Sequence, residues 1–294
     1  MSEFEDHVRK DLQLLRSDSL FVLLIVVVAV MAFIMAFLAT SSYVNSWSPM
    51  LVTKQMIAER QRDNLEGYWV SISSMYLIVF TIVSSMIITS EKENGMARYI
   101  LTFRTHTWQF FLSKFLMMAG LAVFATSVST LAYFLVFAAM DLPLLSFGDV
   151  LSAMLLPLLA ILAISCIGLM VSALMNKKGA AIALGVVAFL VISMGYTFVD
   201  GLGMEAAYDH PDWDYSYDNV TDYVPWQYKV IIKINPMVLI IGSDYLAEGE
   251  GIVLGLGMIV AYLALGMLIF ARERTERGLI KDLMKRIKRR EGRP

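Results

Sequence analysis

Histidine, cysteine and charge are all scarce in this chain, and each shortage removes a class of function. Among 294 residues there is one cysteine and there are three histidines, and only 17 % of positions are Asp, Glu, Lys or Arg. One cysteine, Cys166, allows neither an intrachain disulfide framework nor a cysteine metal cluster. It lies inside an apolar run and reads as a small buried hydrophobe. His7, His106 and His210 all fall outside the apolar runs, and no H-E-x-x-H pair exists for zinc chemistry in the bilayer. The runs themselves hold almost no ionisable group. The exception, Lys114, stands near one end, where it is expected to reach the interface. Proton relays and ion-coupled carriers need such groups inside the bundle and are disfavoured. A G-x-x-x-x-G-K-[ST] loop is also missing, so ATP hydrolysis by a phosphate loop is not expected on this chain.

What the chain has in abundance is apolar sequence. It is 58 % hydrophobic, with a mean hydropathy of +0.65. Soluble domains average ~45–50 % apolar and ~25 % charged, so this is an integral membrane protein. The expected fold is all-α and polytopic, with about six transmembrane helices and an N-terminal amphipathic interfacial helix. Six runs have the ~20 residues needed to span: 20–41, 67–89, 110–140, 150–175, 179–199 and 251–271. Residues 1–19 form the leader. Phe4, Val8, Leu12 and Leu15 recur there at helical spacing, and Ser2 with Glu5 makes a capping box. The leader is too long and too acidic for a signal peptide.

Orientation follows from lysine and arginine. Lys54, Arg60, Arg62, Lys229 and Lys233 lie on one side of the spans, and the other nineteen of the 24 basic residues lie on the opposite side. The positive-inside rule places that basic side, both termini included, in the cytoplasm of a plasma (inner) membrane protein. The net charge of −2 is segregated and by itself says nothing of partners; no nucleic-acid partner is expected. The tail, residues 272–294, combines Leu279, Ile280, Leu283, Met284 and Ile287 with basic residues. It reads either as a lipid-facing amphipathic helix or as a plain stop-transfer tail.

Two polar stretches interrupt the spans. Residues 90–114 form the long cytoplasmic loop. Ser90 with Glu93 makes a second capping box, predicting a short helix that starts there, and 104–107 reads as a turn. Residues 200–250 form an acidic, aromatic-rich segment on the other side. Within it Asp212, Asp214 and Asp218 have alternating oxygen spacing, but they lack the glycine and glutamate of a calcium loop, so calcium is a weak candidate and no metal site is assigned. The piece 228–241 is broken by Lys233 and Asn235-Pro236 and reads as a helix or re-entrant segment packed near the outer surface. On the second span Ser71, Ser74, Thr81 and Ser85 follow helical spacing. A hydroxyl stripe of this kind could line a translocation path, or could bind helices together, and the two roles are compatible. Gly251 and Gly255 form a small-residue packing motif.

Glu91, Glu93 and Gly95, then Leu101, then Lys114 at the mouth of the next span, resemble the loop of permeases of the type-2 ATP-binding cassette exporter family. Met96 and Arg104 depart from that family's usual residues. The outline of leader, six spans and Asn235-Pro236 ahead of the last span is similar too. The resemblance implies a permease without catalysis of its own, energised by a separate cytoplasmic nucleotide-binding ATPase subunit that holds the ATP and Mg. It also implies a second permease copy, expected as a homodimer, set in membrane lipid. Glu91, Glu93, Gly95, Arg98 and Leu101 would form the contact with the ATPase subunit, Arg98 against a carboxylate of that subunit. The substrate would be amphipathic, lipid-like, peptide or drug-like. Two rival readings stand beside it: the same architecture acting as a mechanical transmitter to an outer partner, and a membrane scaffold.

Overall fold

The computed structural model describes residues 19–45, 54–94, 107–142, 145–211, 213, 217–247 and 249–291. The regular structure among these residues is helical throughout. The helices are α1 (Ser19–Asn45), α2 (Lys54–Glu93), α3 (Thr107–Ala139), α4 (Phe147–Leu174), α5 (Lys178–Tyr208), α6 (Trp226–Lys233), α7 (Val238–Ile241) and α8 (Glu250–Glu291), with short 3-10 turns at Tyr217–Tyr223 and Ser243–Tyr245. Among the described residues, five stretches are long and apolar enough to cross a membrane: Arg60–Glu93, Trp108–Ala139, Phe147–Leu174, Lys178–Tyr208 and Glu250–Arg272. A sixth apolar stretch, Val26–Ser41 in α1, is shorter. The leader, 1–18, lies outside the described residues.

Several helix ends are written in local chemistry. Ser146 caps α4: its hydroxyl accepts the Asp149 amide at 3.3 Å and donates to the Asp149 carboxylate at 2.6 Å. Asp141 ends α3 at φ 55, in the left-handed region that short polar residues tolerate. Around it the Leu142 amide reaches the Phe137 carbonyl and the Asp141 amide reaches the Ala138 carbonyl, which closes the last turn.

α4 is the hub. Its most extensive packing is against α2, then against α8, and it also meets α3 and α5. Glycines set the spacing, because a bilayer supplies no hydrophobic drive between helices and close backbone approach must replace it. A Cβ on Gly168 of α4 would collide with the Ser84 side chain and lie 2.9 Å from the Thr81 carbonyl of α2. A Cβ on Gly255 of α8 would lie 3.0 Å from Leu159 Cβ, and one on Gly251 would lie 2.8 Å from Leu156 Cδ2. The Gly251/Gly255 pair is therefore the face by which α8 packs on α4. Between α1, α2 and α3 sits an aromatic core: Tyr68, Tyr76 and Tyr133 are each at most 1 % exposed. Its phenols are satisfied in place. Tyr68 donates to the Ser129 carbonyl at 2.9 Å, Tyr76 bonds the Ser129 hydroxyl, and Tyr133 donates to Asn64 at 2.8 Å.

The second helix departs from expectation at both ends. It starts at Lys54, not near Gly67, because Asn64 bridges the Ala39 carbonyl of α1 and Tyr133 of α3, and Gln61 and Leu65 are buried. At its other end Ser90 to Glu93 do not start a helix. They are the closing turn of α2, sealed by the Asn94 amide on the Ser90 carbonyl at 3.1 Å. The capping-box reading fails because the Glu93 carboxylate is used elsewhere, as described below.

The acidic end of the bundle folds back on itself. Beyond α5, Tyr208 meets Trp213 and His210 meets Tyr223 ring to ring. α6 and α7 then form a hairpin around Asn235-Pro236 that enters the bundle. The Asn235 amide donates to the Ile192 carbonyl of α5 at 2.8 Å and its carbonyl oxygen accepts the Met237 amide at 3.0 Å. The Tyr262 hydroxyl of α8 donates to the Ile234 carbonyl at 3.1 Å, and Met237 to Ile240 are buried. Non-helical backbone survives at membrane depth only when its polar groups are satisfied in this way. The segment 228–241, expected as a helix or a re-entrant piece, is helical on both sides of Asn235-Pro236 and packs against α5 and α8.

Candidate functional site

One set of polar groups that joins several helices collects at the basic end, where α2 stops. Glu91, Lys92 and Glu93 are consecutive, so in a helix they point about 100° apart and can address three different neighbours. Each does. The Glu91 carboxylate accepts from Lys114 Nζ of α3 at 2.7 Å, with side-chain exposures of 6 % and 2 %. Lys92 Nζ donates to the Ala173 carbonyl and, at 3.2 Å, to the Met175 carbonyl, at the C-terminal end of α4. That is the favourable end of a helix dipole for a cation. Glu93 accepts the backbone amide of Lys178 at 3.0 Å, the matching arrangement of an anion at the N-terminal end of α5. One turn earlier the Thr89 amide donates to the Ser172 hydroxyl at 2.9 Å, and the Thr89 hydroxyl donates to the Ser172 carbonyl at 3.1 Å.

An apolar cluster closes over these contacts and brings in the last span. Ile88, Phe110, Phe111, Leu169, Ala173 and Phe270 are all buried together. Phe110 and Phe270 stack at 5.4 Å, Lys114 Nζ lies 4.9 Å from the Phe110 ring centre, and Lys92 Nζ lies 5.7 Å from that of Phe270. Such contacts are worth about 0.5–2 kcal/mol each. The ends of α2, α3, α4 and α5 and the middle of α8, at Phe270, thus meet at one node.

The expectation that Lys114 reaches up to the interface is corrected here. It is turned inward onto the Glu91 carboxylate, the partner that a buried charge requires. Glu91 itself is 5 % exposed and faces inward, whereas Glu93 is exposed. Gly95, Arg98 and Leu101 lie outside the described residues, as do Asp212 and Asp214; Asp218 is described only in its backbone, inside the 3-10 turn Tyr217–Tyr223.

The hydroxyl stripe divides in two. Thr81 and Ser85 are buried, with hydroxyls donating to the Leu77 carbonyl at 2.5 Å and the Ile82 carbonyl at 2.8 Å. They stand where α2 approaches the other helices most closely: a Cβ on Gly185 of α5 would lie 2.9 Å from the Ser85 hydroxyl. Ser71 is exposed and Ser74 half-buried, with hydroxyls turned back onto the Gly67 and Val70 carbonyls.

The sequence profile of the family described as ABC-2 family transporter protein matches residues 39–272. This chain belongs to the ABC-2 transporter family. No curated protein matches it. An ABC-2 chain is the membrane permease subunit of an ATP-binding cassette transporter, a subunit that is generally not catalytic and works with an ATPase. The match spans both the node and the re-entrant hairpin.

Sequence reasoning missed Lys92, Thr89 and Ser172 as members of the node. A signal for Lys92 was present. Alternating charges at adjacent positions near a helix end cannot all share one solvent face, so some must turn toward neighbours.

Proposed function

We propose that this ABC-2 permease exports an amphipathic substrate, lipid-like, peptide or drug-like, with energy from ATP and Mg held by a separate cytoplasmic ATPase subunit. The stroke enters through the 90–114 loop and reaches the bundle at the last turn of α2. The observation that carries this reading is the fan of Glu91, Lys92 and Glu93 onto three other helices. A loop that merely joined two spans would not need its first turn fastened to three neighbours. In this reading Glu93, Gly95, Arg98 and Leu101 meet the ATPase subunit, and Glu91 passes the force inward through Lys114. The lysine and arginine distribution supports a cytoplasmic basic end.

Two copies of the chain complete the pathway. α5 is far less covered by the rest of the chain than α2 and leaves Val187, Val191, Met194 and Phe198 exposed for lipid or for the second copy. Ser71 and Ser74, the less buried members of the hydroxyl stripe, would meet substrate, and Thr81 and Ser85 would serve helix packing.

The test is co-purification of the full-length chain with the ATPase subunit, followed by ATP turnover in lipid. The variant Glu91→Lys/Arg98→Glu is expected to lose the complex or its stimulated turnover. Because Glu91 is buried, Glu93→Lys/Arg98→Glu serves as a second variant confined to exposed and loop positions. Wild-type binding and turnover in both would overturn the reading.

A further inference from the structure

α5 has two faces of opposite character. Phe189, Tyr196 and Ala207 are buried against the bundle. Opposite them Val187, Val191, Met194 and Phe198 are each more than half exposed, the last three at 66–69 %. At about 100° per residue these four fall on one stripe, and Glu205 and Asp209 continue it toward the acidic end. Both carboxylates are exposed, and among the described residues neither accepts a side-chain hydrogen bond nor meets a cation. Tyr208 beside them is 43 % exposed. A hydrocarbon core of ~30 Å takes up about 20 residues of helix. Counted from Lys178 it ends near Phe198, and Glu205 stands about 10 Å further along, at headgroup level.

We propose that this stripe binds a single-chain amphiphile with a cationic head, its tail along Val187 to Phe198 and its head against Glu205 and Asp209, and that amphiphiles of this class are the exported substrate. The proposal narrows the substrate class of the reading above and rests on it for the export step. Its first argument is charge. Carboxylates without a counter-cation at headgroup depth repel the phosphates of ordinary lipids and attract a cation. Segment 200–250 reinforces this field, with ten acidic residues against Lys229 and Lys233. Lys229 is turned to the Asp222 carbonyl at 3.0 Å and Lys233 is paired with Glu250, so neither neutralises the stripe. The second argument is what a second copy would bring. Two copies around an axis along the membrane normal would set Glu205 beside Glu205 and Asp209 beside Asp209, like charges that disfavour close packing at that end. The third argument is the Tyr208 ring. A partly exposed ring next to carboxylates suits an alkylated ammonium, which is drawn to the electrons of an aromatic face.

The experiment uses the full-length chain in phosphatidylcholine nanodiscs, with spin-labelled probes that share a dodecyl tail and carry a trimethylammonium, a sulfate or an uncharged polyether head. The immobilised fraction of each probe gives its affinity. The trimethylammonium probe is expected to bind about fivefold more tightly than the sulfate probe at low salt, and the difference to shrink at high salt. Glu205→Gln/Asp209→Asn is expected to remove that preference and leave the uncharged probe unchanged, whereas Val191→Ser/Met194→Ser weakens all three. Equal binding of the charged probes to the wild-type chain, or a preference that survives in Glu205→Gln/Asp209→Asn, would overturn the proposal. So would efficient disulfide cross-linking between copies through Met194→Cys, which would give the face to the second copy. With the ATPase subunit present, the trimethylammonium probe is expected to raise ATP turnover in wild type and not in Glu205→Gln/Asp209→Asn. An unchanged wild-type turnover would overturn the substrate assignment. The binding measurement needs no ATPase subunit. Failure of the export reading therefore leaves the charge preference in place, whereas failure of this proposal removes the preference and leaves subunit-dependent turnover untouched.

Discussion

Glu91 and Lys114 show what a buried ion pair costs and what it does. Removing one partner leaves the other charged at 2–6 % exposure, a loss of about 3–5 kcal/mol, whereas replacing both is often close to neutral. Glu91→Gln and Lys114→Met are each expected to lower the thermal unfolding midpoint in detergent or lipid, and the double variant to recover most of the loss. Equal and additive losses would mean that the two residues do not act as a pair. Two buried hydroxyls on α2 give a contrast on a smaller scale. Ser73 is fully buried and its hydroxyl has no hydrogen-bond partner, whereas Thr89 bonds Ser172 of α4. Ser73→Ala should leave stability unchanged or slightly raised, and Thr89→Ala should cost about 1 kcal/mol. The same melting experiment reads both.

Among the elements, close approach separates glycines that look alike in sequence. Gly168 faces the Ser84 side chain and the Thr81 carbonyl, whereas nothing lies within 4 Å of a Cβ built on Gly257. Gly168→Ala should overpack α4 against α2 and cost about 1–3 kcal/mol. Gly257→Ala should stabilise α8 by up to ~1 kcal/mol through helix propensity. The re-entrant hairpin is held to α8 by Lys233, whose Nζ lies 2.7 and 2.8 Å from the two Glu250 carboxylate oxygens. That pair is about one-third exposed, so Lys233→Ala should loosen the hairpin by less than ~1 kcal/mol. Faster protease cleavage near Asn235 would report it. Tyr245 gives a second anchor, donating to Asp200 at 2.6 Å. Burial, with the Asp200 carboxylate beside it, raises the phenol well above its ordinary pKa, so the bond persists at high pH. These elements also mark what could be read in advance. The spans were legible because twenty apolar residues in a row have one physical meaning in a bilayer. The break at Asn235-Pro236 was legible because Lys233 and Asn235 interrupt the apolar run beside the proline; a proline alone would not have marked it, since Pro157 lies inside α4. The end of α2 was not. Ser90-x-x-Glu93 has the same letters whether glutamate folds back on its own helix or reaches the start of another, and only the arrival of Lys178 beside it decides between them.

For the whole molecule, the separation of its polar parts is the main feature. A hub of α2 and α4 packs through glycine and hydroxyl contacts, and the groups that join several helices lie at its two ends. One end ties four helix ends and the middle of α8 into a node, and the other pins a hairpin between α5 and α8. Both ends were visible in the sequence as interruptions of the spans. Their connections were not, because residues such as Glu91 and Lys114 are separated by a loop whose path sequence periodicity does not constrain. In the proposed function, ATP hydrolysed outside the membrane moves the node, the packed hub carries the motion, and the hairpin end responds.

The most direct measurement of that claim is permease-stimulated ATP turnover at matched occupancy of the ATPase subunit, for wild type, Glu91→Gln, Lys114→Met and the double variant. The account predicts that all three variants still bind the subunit and lose most of the stimulation, and that the double variant regains stability without regaining turnover. Wild-type stimulation in the double variant would show that force does not pass through this pair, and would contradict the account.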